Sequence, residues 1–93
     1  MTRLLSRELY KKCMIKFGLD AQKHKTSEEC AELIRAISRD FNGYPDIGNV
    51  IEELLDVSIM TEQLLWWYEL NTPTLVQVLK QRKIAHIEDM LNE

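Results

Sequence analysis

Glycine and proline are scarce in this 93-residue chain, with three and two copies. So few breakers leave room for few turns and favour a small number of long helices. Cysteine is scarce as well. Cys13 and Cys30 are widely spaced and form no CxxC pair. That excludes a disulfide scaffold and reads as two reduced, partly buried thiols of a cytoplasmic protein. No run reaches about 18 uninterrupted apolar residues, so neither a spanning helix nor a membrane partner is expected. The first dozen residues mix Arg3, Arg7, Glu8, Lys11 and Lys12 with leucines, and lack the apolar stretch of a secretory signal. A basic excess is missing too. Twelve Lys and Arg against fifteen Asp and Glu give a net charge of -3. That is the wrong sign for binding a nucleic-acid polymer.

What remains is a soluble globular balance of 45% hydrophobic and 29% charged residues, which excludes general disorder. The length fits one domain, residues 1–93. Breakers fall at Gly18, at Asn42 to Gly48 and at Asn71 to Pro73. They divide the chain into four segments with apolar residues at helical spacing, so the expected class is all-α. The first, about Thr2 to Phe17, sets Leu5, Leu9, Cys13 and Phe17 four apart, with Gly18 as its stop. The second, about Asp20 to Asn42, carries Cys30, Leu33, Ile34, Ile37 and Phe41 on one stripe. Asp20 could cap it, or Thr26 to Glu29 could form a capping box. The fourth runs from Thr72 or Pro73 to about Asn92, with Pro in the first turn.

The third segment, about Asp46 to Leu70, would be roughly 37 Å long. Its apolar residues, from Val50 and Ile51 through Leu64 to Trp67, cover nearly the whole circumference. Such a helix is buried on most sides, and a chain this short cannot bury it alone. A second subunit is the expected cover, giving a homodimer or homotetramer.

Against this background two carboxylate pairs stand out. Glu29 and Glu32 are three apart in the second segment, and Glu53 and Asp56 in the third. Residues three apart share a helix face, about 5–6 Å from each other at Cβ. On a helical wheel Glu53 and Asp56 head the stripe of Val57, Met60, Leu64 and Trp67, while Glu29 and Glu32 flank Leu33. Four carboxylates on packing faces need a compensating cation or a proton. The cation could be a Lys or Arg side chain, or a divalent metal. His is absent from both motifs, and neither His24 nor His86 has the Glu-x-x-His spacing of a di-iron bundle. An oxygen-only donor set suits Mg²⁺ or Mn²⁺ rather than iron or zinc.

The same residues carry a resemblance. Glu28-Glu29-x-x-Glu32, then about twenty residues, then Glu53-x-x-Asp56 is similar to the signature of the all-α nucleoside triphosphate pyrophosphohydrolases. Those include the MazG-like proteins, dimeric dUTPases, dCTP pyrophosphatases and phosphoribosyl-ATP pyrophosphohydrolases. The contexts Glu28 to Ile34 and Val50 to Val57 resemble small stand-alone MazG-like proteins, including those common in phage genomes. Phe17-Gly18, Gln22 and a Lys-rich last helix agree, and the likeness covers roughly residues 14–91.

The resemblance implies four or five helices, bundle-like and completed by oligomerisation, with Mg²⁺ (Mn²⁺ substituting) between the second and third. Carried over, Glu29, Glu32, Glu53 and Asp56 would be metal ligands. Glu28 and Glu52 would orient or deprotonate water, and Lys25, Lys80 and Lys83 would meet the substrate's phosphates. The implied reaction splits a nucleoside triphosphate between its α and β phosphates. The competing expectation is a helical interaction module that keeps the fold without catalysis. Trp66, Trp67 and Tyr68, three turns beyond Asp56, read as core or interface rather than as a base platform. His24, His86, Arg35 and Arg39 read as surface residues, and Tyr44 as part of a loop.

Overall fold

The computed structural model describes residues 4–93. Four helices follow in order: α1 (Arg7–Phe17), α2 (Leu19–Phe41), α3 (Ile47–Asn71) and α4 (Pro73–Leu91). The described residues form no strand, as the scarcity of breakers implies.

Local chemistry sets the boundaries. The start of the first segment at Thr2 lies outside the described residues; α1 begins at Arg7, where Ser6 Oγ accepts from the Leu9 N–H at 3.2 Å. Gly18 ends α1 with φ +86°, a left-handed value that suits Gly, and its N–H donates to the Met14 carbonyl. The same residue precedes Leu19, so α1 and α2 meet without a loop. Neither expected cap of α2 forms. Asp20 lies within its first turn, and the Thr26 hydroxyl donates to the Gln22 carbonyl one turn back. Asp46 caps α3 by accepting from the Asn49 N–H at 3.0 Å. Pro73 opens α4 in the first turn.

The inward faces differ from the apolar stripes of the sequence. In α1, Tyr10 and Met14 are buried, while Leu9 and Phe17 are exposed. The Tyr10 ring packs 6.4 Å from Trp66 at 39°, and its hydroxyl donates to Glu62 Oε2 at 2.6 Å. An aromatic ring with its polar tip satisfied outcompetes an aliphatic neighbour for the inner face. In α2 the buried residues are Gln22, Glu29 and Ala36, seven apart. Ile34 is 67% exposed and Phe41 88%. Seven residues return an α-helix to almost the same direction, so one mainly polar row faces α3. The most apolar row faces out.

One chain does not close a four-helix bundle. The helices α2 and α3 form the main pair, and α1 packs across both; α4 touches α3 alone among the described residues and buries none of its side chains. The radius of gyration is 15.7 Å and the extents are 44 × 43 × 22 Å. A compact domain of this length would have a radius near 12 Å. The described residues form a slab whose apolar faces lack cover among them.

Candidate metal centre

Two helices build the site. In α2, Lys25 and Glu29 are one turn apart, and Lys25 Nζ lies 2.9 Å from Glu29 Oε1. In α3, Glu53 and Asp56 are three apart on the face turned to α2. Packing brings Glu29, Glu53 and Asp56 together, with one carboxylate oxygen of each inside a 4.8 Å group. The arrangement is graded in depth: Glu29 is buried, Glu53 half-buried and Asp56 exposed. A small recess of ≈110 Å³ opens here, lined by Lys25, Glu29, Asp56, Ile59 and Met60.

The electrostatics are unfavourable as the residues stand. Lys25 neutralises one oxygen of Glu29 from the rim. Glu29 Oε2 and Glu53 Oε2 are both buried without a hydrogen-bond partner. A buried acceptor left unpaired carries a desolvation penalty. The Glu53 carboxyl is pushed above the usual carboxylate range. Burial is the main cause, followed by the charge of Glu32 and a hydrogen bond with it, then the charges of Asp56 and Glu29. The Lys25 ammonium is held above its ordinary value, first by its hydrogen bond to Glu29 and then by that carboxylate's charge.

A divalent cation fits this donor set. Oxygen ligands at about 2.1 Å place opposite ligands about 4.2 Å apart, within the 4.8 Å group. Both unpaired oxygens belong to residues of the trio. No side chain in it is nitrogen or sulfur, which suits a hard ion.

The remaining expected site residues distribute as follows. Glu32 is exposed and stands beside Glu53, outside the trio. Its charge and a hydrogen bond bear on Glu53. Glu28 and Glu52 are exposed, each one residue and about 100° around the helix from a trio member. Lys80 and Lys83 are not brought to the carboxylates within one chain. They line a separate groove between α3 and α4 with Leu65, Tyr68, Thr72 and Leu79. From Asp56 to Tyr68 is twelve residues, roughly 18 Å along α3.

Among the residues weighed for other roles, Trp66 is core, as expected; Tyr68 lies on the surface with Lys23 Nζ 6.0 Å from its ring centroid. His24, His86, Arg35 and Arg39 are exposed, and so is Tyr44 in its loop. Cys13 and Cys30 are free, half-buried thiols. No helix of the described residues is long and apolar enough to cross a membrane.

Two buried residues near the site lie outside the carboxylate motifs; Gln22 entered only through the family resemblance, and Gln63 not at all. Gln63 is 1% exposed and its Nε2 is buried without a partner. Gln22, on α2, is also buried. Spacing could have found both, since Gln22 precedes Glu29 by seven residues and Gln63 follows Asp56 by seven.

No family model, curated protein or solved structure matches the chain. The class is therefore defined by the fold and the site alone: an all-α protein with three carboxylates grouped between its two longest helices.

Proposed function

We propose that the protein is a Mg²⁺-dependent nucleoside triphosphate pyrophosphohydrolase, with Mn²⁺ able to substitute, of the all-α MazG-like kind. The observation that carries this reading is the convergence of Glu29, Glu53 and Asp56, two of them with a buried oxygen that has no partner. Buried carboxylates of this kind are costly to keep unless a cation uses them. The spacing of the two motifs, similar to the pyrophosphohydrolase signature, selects the chemistry.

In this reading Glu29, Glu53 and Asp56 would hold the ion, with Glu32 beside Glu53. A divalent ion held there would supply neutralisation of the phosphate oxygens and polarisation of phosphorus. The Lys25 ammonium, at the rim of the recess, meets a phosphate oxygen of the substrate. Glu28 or Glu52 takes the proton of the attacking water. The water oxygen bonds to phosphorus, the anhydride P–O bond breaks, and pyrophosphate leaves with that bond's electron pair. The nucleoside monophosphate remains.

The assembly belongs to the same reading. A homodimer or homotetramer would cover the outer faces of α2 and α3, and α4 is the helix most in need of a partner. The groove holding Lys80 and Lys83 would serve the phosphates only if assembly carries it to the carboxylates of another copy. The protein acts on a nucleotide, not on a nucleic-acid polymer, and does so in the cytoplasm.

The test is a panel of ribo- and deoxyribonucleoside triphosphates with Mg²⁺ or Mn²⁺ and detection of pyrophosphate. At least one should be hydrolysed to monophosphate and pyrophosphate. Glu53→Gln should lower that rate by about 100-fold or more, since even groups that only support a ligand contribute 10- to 100-fold. An inert protein across the panel overturns the reading.

A further inference from the structure

Next to the carboxylate recess lies a larger one of ≈420 Å³ between α1, α2 and α3. Cys13, Ala21, Gln22 and Gln63 line it, and it shares Lys25, Ile59 and Met60 with the carboxylate recess. The two are therefore neighbours, with these three side chains at their common wall. Its size is within the range of small-molecule sites, and its walls are mostly apolar with a few polar groups, as such sites are.

The polar group that matters is Gln63. It is 1% exposed, and its Nε2 is buried with no hydrogen-bond partner. A carboxamide can donate from nitrogen and accept at oxygen side by side. Nothing in the described structure uses the donor. A polar donor enclosed without a partner is uncommon and points to a missing one.

We infer that this recess receives the base of the nucleotide and that the Gln63 carboxamide reads the base's hydrogen-bonding edge. The inference rests on the pyrophosphohydrolase reading for the triphosphate, and adds where the nucleoside lies. Each nucleobase presents adjacent donors and acceptors on its edges, the pattern a carboxamide complements. The register agrees. Asp56 and Gln63 are seven residues apart on one face of α3, two turns or roughly 10.5 Å along the axis. Gln22 and Glu29 repeat that spacing on α2. Phosphates over the carboxylates would thus leave the base two turns away, with Ile59 and Met60 between and Lys25 at the junction.

Two measurements test it. In the first, the side-chain amide resonance of Gln63, assigned by its loss in Gln63→Leu, is followed while nucleoside monophosphates of the five common bases are added with Mg²⁺. At least one should shift that resonance to saturation. A resonance unmoved by all five overturns the inference, whether or not the protein hydrolyses anything. In the second, kcat/KM is compared across the triphosphate panel. Gln63→Leu should reduce the ratio between the best and the next base by about tenfold or more, because a site built to pair a polar edge discriminates strongly through it. Ala21→Phe, which fills the recess from its exposed rim, should raise KM about tenfold while leaving Mg²⁺ affinity intact. An unchanged ratio in the first variant, with an unchanged KM in the second, overturns the assignment even in an active enzyme. An inert wild-type protein whose Gln63 amide still shifts would instead overturn only the hydrolytic reading.

Discussion

The inner and outer faces of the α2–α3 pair have exchanged their usual characters. The inner seam holds Gln22, Glu29, Glu53 and Gln63 beside the apolar Ala36, Ile59 and Met60. The outer faces hold Ile34, Ile37 and Phe41 on α2, and Ile47, Ile51, Leu54 and Leu55 on α3, all exposed. A globular helix normally turns its apolar stripe to its own core. An inner seam with this much polarity stabilises the pair poorly. What it provides is buried oxygen and amide groups at fixed positions, the raw material of a binding site. The outer faces are the converse, with ample apolar area and nothing among the described residues to cover it. Exposed apolar area on this scale marks an interaction surface. The division is economical for so short a chain, because stability can come from assembly while the interior is kept for chemistry.

The most severe way to break this comparison is to attack the outer faces. On the surface of a true monomer, Ile34→Ala or Ile51→Ala would change stability by about 0.5 kcal/mol at most. If a second copy buries these residues, each truncation should cost about 2–4 kcal/mol per site. Ile34→Asp should then prevent assembly, with loss of cooperative unfolding. Sedimentation and thermal melts read both effects. A wild-type protein that sediments as a stable folded monomer at low micromolar concentration would leave the outer faces unexplained and defeat the assembly reading.

A milder perturbation sharpens the inner half of the comparison. The Glu53 carboxyl titrates above its ordinary range because of burial and its acidic neighbours. The folded state therefore holds this proton more tightly than the unfolded chain does. By linkage the contribution is fully present below the unfolded pKa and is lost as pH rises through the folded one. In metal-free buffer with chelator, the melting temperature should fall as pH rises through that window. Glu53→Gln should flatten this segment of the profile. Saturating Mg²⁺ or Mn²⁺ should reverse the slope, because the ion binds the deprotonated carboxylates and stabilises the folded state by mass action. Parallel melting profiles with and without metal would mean that the trio does not hold a cation.

The two faces also differ in how far they could be read in advance. The four helices, the Gly18 and Pro73 boundaries and the Asp46 start were legible because breakers and caps act locally. The carboxylate pairs were legible because three-residue spacing fixes a shared face. What periodicity misjudged was orientation. The Cys30 to Phe41 stripe is the more apolar face of α2, yet Gln22, Glu29 and Ala36 face α3. Inward direction in a chain this small depends on which surface the partner helix covers. The carboxylate trio followed from the motif spacing, while Glu32 stands beside Glu53 and outside the group that the three form. The lysines of α4 were placed by likeness alone, and nothing local binds that helix to the site. Gln63 escaped because a lone Gln inside a long apolar helix reads as an interruption until its burial and its lack of a partner are seen.

The smallest expected effect belongs to Lys25, which stands where the two faces meet. Its ammonium pairs with Glu29 at 2.9 Å, yet its side chain is 53% exposed. An ion pair with one partner so open to water contributes little to folding. Lys25→Met should therefore leave the melting temperature of the metal-free protein nearly unchanged. If the ammonium meets a substrate phosphate oxygen, the same variant should raise KM for the preferred triphosphate by about tenfold, the worth of roughly 1.4 kcal/mol in binding. Mg²⁺ affinity should stay level or rise, since a positive neighbour of Glu29 has been removed. Raised KM with unchanged stability would place Lys25 on the substrate side of the seam. A marked loss of stability with unchanged KM would instead make the pair part of the packing, and the polar seam would then be a structural device at its rim as well as in its interior.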